Sequence, residues 1–157
     1  MVVQREGGYL QFASNHPLRQ RQVKNPGPRS TCPIGTSLDL LGDRWTLLVM
    51  RDLLLAGRTR FGELGASESI ATNVLSERLR RLEGAGVVTK HRDPNDGRRF
   101  VYRATPRGAD LIPLLLELGC WGASHTPAGT AHPELIEQAR HDRDTLVATL
   151  RARALAS

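Results

Sequence analysis

Residues 60–105 constrain the fold more than any other stretch of this chain. They open with Arg60-Phe61-Gly62-Glu63-Leu64, whose pattern predicts a short helix ending near Gly65 or Ala66. Ser67-Glu68-Ser69 reads as a turn. Over residues 71–83, Ala71, Leu75, Leu79 and Leu82 fall on one face at about 100° per residue. The opposite face holds Asn73, Ser76, Glu77, Arg80 and Arg81, with Arg78 nearer the apolar side, and Gly84 and Gly86 end the helix. Residues 87–92 and 99–103 have strand character, and Asp93-Pro94-Asn95-Asp96-Gly97 between them is turn chemistry.

Helix, turn, helix and hairpin in that order outline a winged helix-turn-helix: mainly α with a small β-hairpin wing (α+β). The flanking segments supply the frame. Cys32-Pro33 marks a helix start, because proline is favoured at the first helical position. A helix over 33–41 stops near Gly42, and Asp43 resembles the N-cap of the next, over 44–55. Trp45, Leu48, Val49 and Leu53 recur near helical spacing and are expected to face the core. Thr105-Pro106 starts another helix, with Leu111, Ile112, Leu114, Leu115, Leu116, Leu118 and Trp121. That helix is apolar nearly all round, so more than one surface must cover it, and Pro113 is expected to kink it. A loop over 125–132 leads to a last helix, about 133–155. Leu135, Ile136, Ala139, Leu146, Val147 and Leu150 form its apolar side, opposite Glu137, Arg140, Asp142 and Arg143. Three parts result: a flexible basic arm, 1–31; the winged domain with its dimerisation helix, 32–122; and a loop with an amphipathic C-terminal helix, 123–157. The arm reads equally as a DNA- or subunit-contacting segment and as a solvated tail.

Charge narrows the partners. The formal net charge is +6, which favours a polyanion. Between residues 71 and 104, eight basic side chains face four acidic ones. Of the 22 basic residues only Lys24 and Lys90 are lysines. Arginine suits forked phosphate and guanine contacts, although a GC-rich codon bias explains the same preference. No apolar run approaches the roughly 20 residues of a membrane span, and the N-terminus has no apolar signal segment, so a cytoplasmic, nucleoid-associated location is expected. Two cysteines are too few for a disulfide framework. No nucleophile triad, phosphate loop, dinucleotide fingerprint or zinc-protease motif is present, which argues against an enzyme. Cys120, His125, His132 and His141 lack close ligand spacing, so no metal and no cofactor are expected.

The major groove of B-DNA is about 12 Å wide and admits one helix. A reading helix needs an apolar face anchored on its domain and a polar face that reaches base edges. The helix over 71–83 has both. Its candidates for base readout are Thr72, Asn73, Ser76, Arg80 and Arg81, because the N-terminal part of such a helix usually reaches bases. Glu77 could accept from a cytosine amino group or balance neighbouring arginines. Lys90, Arg92, Arg98 and Arg99 on the hairpin are candidates for a wing that grips the DNA backbone. The competing reading is a winged helix used for protein–protein contact without specific DNA readout.

An ordered set of motifs resembles the HxlR-type family of bacterial winged-helix transcriptional regulators, relatives of the MarR group. It comprises Cys32-Pro33, Leu38-Asp39-Leu40-Leu41-Gly42-Asp43-Arg44-Trp45, Arg60-Phe61-Gly62-Glu63-Leu64, Ile70, Leu75-Ser76-Glu77-Arg78-Leu79-Arg80-Arg81-Leu82-Glu83, Tyr102-Arg103-Ala104-Thr105-Pro106-Arg107-Gly108 and Trp121-Gly122. Ala104 departs from the pattern, and the arm and tail lie beyond it. The resemblance implies a sequence-specific regulator that binds double-stranded DNA as a homodimer on a palindromic operator. Its interface would use the N-terminal segment and the helix after the wing, here Leu111, Leu114, Leu115, Leu118 and Trp121. In several members a cysteine at the position of Cys32 senses oxidants or electrophiles, which leaves a small-molecule or oxidant effector open. Independently, Cys32 lies at an expected helix N-terminus, where the dipole and unpaired N–H groups favour a thiolate. Its plainer role is a small packed residue. Cys120 reads as core.

Overall fold

The computed structural model describes residues 31–127 and 132–156. The basic arm expected over 1–31 therefore lies almost wholly outside the described residues, as does the middle of the 125–132 loop. The elements run α1 (Pro33–Leu41), α2 (Arg44–Leu54), a 3-10 turn (Ala66–Glu68), α3 (Thr72–Gly84), β1 (Val88–Asp93), β2 (Asp96–Ala104), α4 (Pro106–Ala109), α5 (Ile112–His125), α6 (Pro133–His141) and α7 (Arg143–Ala156). Among the described residues no helix is long and apolar enough to cross a membrane.

Helix starts follow local chemistry. Asp43 caps α2, its Oδ1 accepting from the N–H groups of Trp45 and Thr46 at 3.0 and 3.1 Å. Thr105 caps α4 through the Gly108 N–H, with Pro106 in the first turn. Gly108 is also required by space: a Cβ there would lie 2.2 Å from the Val87 carbonyl oxygen.

One core joins the elements. Val49, Met50, Leu53 and Leu54 of α2 meet Leu75, Leu79 and Leu82 of α3, Val88 and Tyr102 of the hairpin, and Ile112, Leu115 and Leu116 of α5. Ala139, Leu146, Leu150 and Ala154 close it from α6 and α7. Fully burying a side chain of leucine size contributes about 1.5–3 kcal/mol, so the apolar stripe of α3 is enough to fix that helix on its domain. Trp45 and Leu48, expected in the core, are only half-buried and outside this cluster. The inward face of α2 is rotated toward Met50 and Leu54 instead.

Three expected helices differ. Residues 60–64 make a single turn, closed by the Glu63 and Leu64 N–H groups on the Arg60 carbonyl at 2.9 and 3.2 Å. The Arg60 backbone instead bridges antiparallel to Val101, and the Tyr102 N–H donates to the Thr59 carbonyl at 2.8 Å, so this segment edges the hairpin. The expected helix after Thr105 breaks at Asp110 and Leu111. Pro113 does not kink a continuous helix; it sits in the first turn of α5, where its missing N–H costs nothing. The expected helix over 133–155 is two helices, separated at Asp142, whose φ of −144° and ψ of 61° are not helical.

Candidate nucleic-acid interface

α3 is held from below at three points, which leaves its upper face unencumbered. Leu75, Leu79 and Leu82 anchor it apolarly. Arg78, half-buried, pairs through Nε with Asp43 Oδ1 at 3.2 Å and so ties the middle of α3 to the start of α2. Burial of the Asp43 carboxyl works to raise its pKa. The Thr46 hydroxyl, the Thr46 and Trp45 N–H groups and the Arg78 charge outweigh that and hold it below the usual carboxylate range. Arg81 reaches back to the Asp39 carbonyl of α1.

The turn before α3 is set by a carboxylate that the sequence pattern hid. Asp52 is buried in α2, and its Oδ2 accepts from the Gly65 N–H at 2.7 Å. Arg51 and Arg58 neutralise it at 2.9 and 3.3 Å. Gly65 has φ of 70°, and a Cβ there would lie 2.3 Å from Ile70 Cδ1, so only glycine fits. A lone acid between Arg51 and the apolar Leu53-Leu54 was the available signal.

The hairpin register puts Lys90 opposite Tyr102 and Arg92 opposite Phe100. These four side chains share the face of Val88 and Ala104, which runs from the core out toward the tip. Lys90 Nζ stands 4.0 Å from the centre of the Phe100 ring, and the Arg92 guanidinium carbon 4.5 Å from it. One ring thus steadies two wing cations. The turn itself is Pro94-Asn95, shorter than expected, with Asp96 and Gly97 already in β2. Asp93 shapes it. The Asn95 N–H holds the Asp93 carboxyl below the ordinary range against its burial, aided by Arg60 at 3.1 Å. Arg92 closes the tip through the Gly97 carbonyl at 2.8 Å.

Between α3 and this hairpin face lies a cleft of about 760 Å³, lined by Ser76, Arg80 and Glu83 of α3, by Lys90, Arg98, Arg99, Phe100 and Tyr102 of the hairpin, and by Arg60, Phe61, Gly62 and Glu63. Thr72, Asn73, Ser76, Arg80 and Arg81 are all exposed on α3, and Lys90, Arg92, Arg98 and Arg99 are exposed on the hairpin. Their commitments differ. Arg80 is paired with Glu77, Arg99 with Asp96, and Arg92 with the turn, whereas Arg98 makes no side-chain hydrogen bond or ion pair among the described residues.

Of the side chains expected at a dimer interface, Leu114, Leu118 and Trp121 are 46, 49 and 59% exposed along one face of α5. Leu115 is not with them: it is 6% exposed and part of the core. Leu111 is half-buried against that core. Ile34 and Leu38 of α1 are exposed apolar side chains as well. Cys32 is an exposed thiol at the N-cap of α1, and Cys120 is half-buried against the core.

Several known proteins are similar to this chain. An HTH-type transcriptional regulator of Mycobacterium tuberculosis is 36% identical over 100 residues, 64% of this chain and 63% of that protein, so the chain spans less than two thirds of that relative's length. The HTH-type transcriptional regulator YvaP of Bacillus subtilis is 38% identical over 57% of this chain and 84% of its own. Among solved structures, the redox regulator HypR in its oxidized form matches with a TM-score of 0.55 at 28% identity, covering 62% of this chain and 100% of that one. The reduced form of the regulator YodB from B. subtilis matches with a TM-score of 0.50 at 28% identity, over 64% and 99%. Residues 40–130, more than half of the chain, match the family model described as HxlR-like helix-turn-helix, and the chain belongs to that family.

Proposed function

We propose that this protein is a sequence-specific DNA-binding transcriptional regulator that works as a homodimer on a palindromic operator. The observation that carries this reading is the cleft: an anchored helix with a polar outer face on one side, a basic hairpin face on the other. α3 enters the major groove, with Thr72, Asn73, Ser76 and Arg80 at base edges; Arg81, expected with them, is held by the Asp39 carbonyl and reaches a base only by leaving it. Lys90, Arg92, Arg98 and Arg99 take the phosphate backbone. Leu114, Leu118 and Trp121 of two copies meet, joined by Ile34 and Leu38, and present two reading helices to half-sites about 34–36 Å apart. Leu115 and Leu111 serve the protomer's own core instead. The relatives named HTH-type transcriptional regulators support the reading. Binding to duplexes selected from a random library tests it: affinity falls steeply with salt and the selected sites are two-fold symmetric. Absence of duplex binding at low salt overturns it and leaves the protein–protein module.

A thiol switch at Cys32 is the regulatory part of the proposal. The sulfur is exposed and heads a helix, and two of the structural neighbours are named or crystallised by redox state. Oxidation there alters the packing of α1, whose residue Asp39 touches Arg81 of α3. Cys32→Ser checks this: it keeps DNA binding and abolishes its loss under oxidant, and a variant that still loses DNA under oxidant counts against the switch.

A further inference from the structure

Glu77 and Arg80 stand one turn apart on the outer face of α3 and meet along one edge of the guanidinium only. Arg80 Nε donates to Glu77 Oε2 at 3.1 Å, and Nη2 donates to Oε1 and Oε2 at 2.9 and 2.8 Å. A guanidinium has two forked edges, Nε with Nη2 and Nη1 with Nη2. Glu77 occupies the first, with both of its oxygens on Nη2. On the second, Nη1 has no acceptor among the described residues, and the Arg80 side chain is 74% exposed where the cleft opens. The other arginine of this outer face, Arg81, is turned back onto Asp39.

The geometry points to Glu77 as a positioning residue for base recognition: it holds the Arg80 guanidinium by its side edge so that the Nη1–Nη2 fork reads one guanine in the major groove. The inference rests on α3 being the reading helix. Guanine offers O6 and N7 as a matched acceptor pair for such a fork. An arginine without this constraint sweeps a wide arc and finds the nearest phosphate, which is charged and rich in acceptors. Glu77 suppresses that alternative twice. It fixes the plane of the fork, and its own negative charge opposes the approach of a phosphate. The Arg80 hydrogen bonds hold its carboxyl below the ordinary range against slight desolvation, so the charge is present at neutral pH. The arrangement lowers affinity for every duplex and raises discrimination between them. Glu77 is 47% exposed and outside the core, so its removal leaves the fold intact.

The test uses the full chain and duplexes selected by the wild type from a random library. Each guanine of the selected half-site is exchanged for adenine, and binding is measured across a salt series for wild type, Glu77→Ala, Arg80→Ala and the double variant. At one guanine the exchange weakens the wild type about tenfold or more, and leaves Arg80→Ala unaffected. Glu77→Ala loses most of that discrimination and binds unselected duplexes more tightly. Its log–log salt slope steepens by about 0.9, the signature of one added phosphate contact. In the double variant the effect of Glu77→Ala vanishes. Wild-type discrimination in Glu77→Ala overturns the inference, because Arg80 then reads unaided. An effect of Glu77→Ala that persists without Arg80 also overturns it, because Glu77 then touches a base itself. Should Arg80→Ala keep every guanine preference, Arg80 is not a reader and the inference falls while the regulator reading stands. If the wild type selects no duplex, that reading itself fails.

Discussion

Asn73 on α3 and Arg98 on the hairpin differ in what they can tell about a sequence. Asn73, exposed near the start of α3, offers the paired donor and acceptor that match adenine N7 and N6. Arg98, without a side-chain partner among the described residues, is an exposed cation beside the wing turn. Asn73→Ala is therefore expected to cost about 1–3 kcal/mol of discrimination at one operator position, with little change on unrelated duplexes. Arg98→Ala is expected to weaken all duplexes by a similar factor and to reduce the salt slope by about one. Binding isotherms on cognate and scrambled duplexes across a salt series separate the two outcomes. The exposed face of α3 was legible because the angle of each residue on the helix follows from spacing alone. Asp52 and Phe100 were not. Asp52 acts on Gly65, thirteen residues away, and Phe100 acts on cations of the neighbouring strand through a register that spacing only suggests.

Among the elements, the start of α2 shows how a cap can do more than begin a helix. Asp43 satisfies two N–H groups and also pairs with Arg78, so the same carboxylate fixes where α3 lies. Asp43→Ala is expected to cost about 1 kcal/mol at neutral pH from the lost cap alone. Because the folded-state pKa of Asp43 is depressed, its contribution is fully present above the ordinary value of about 3.9 and fades as pH falls through the lower folded value. The gap in stability between wild type and Asp43→Ala therefore narrows below about pH 4. Urea melts at pH 7 and in that acid range measure it, and a gap that stays constant contradicts the assignment. Helix starts with a cap or a proline were readable at Asp43, Pro33 and Thr105. Interruptions were less so. Apolar spacing continues through Asp110 and Asp142 although the backbone does not, and Arg60 carries a helix-like pattern while its backbone is taken by Val101. In that segment Gly62 and Gly65 weaken the helix, and the open edge of β2 offers its hydrogen bonds instead.

For the whole molecule, α5 has two sides with different duties. Ile112, Leu115 and Leu116 are buried in the protomer, whereas Leu114, Leu118 and Trp121 are not. Replacing Leu118 and Trp121 by Asp and Ala is expected to give a monomer that melts near the wild-type temperature. Its affinity for a two-half-site duplex should drop by about a hundredfold or more, to that of a single half-site, because the second reading helix is no longer tethered. Sedimentation and binding to full and half operators check this; a dimer that persists in the variant moves the interface elsewhere. The apolar excess of this helix was visible in the sequence. Which leucines it spends inside was not, since that depends on α6 and α7, whose docking sites lie far away along the chain.

Arg153 of α7 donates to the carbonyls of Leu54 and Leu55 at 3.1 and 2.7 Å, and Ala154 enters the same core as α3. The part of the chain shared with its family is consequently not a portable cassette here. Grafted onto another protein without residues 133–156, the reader would carry along an open groove lined by α2 and α5. On the proposed reading, exchanges of specificity between relatives are better made by transplanting the outer face of α3 than by swapping the domain.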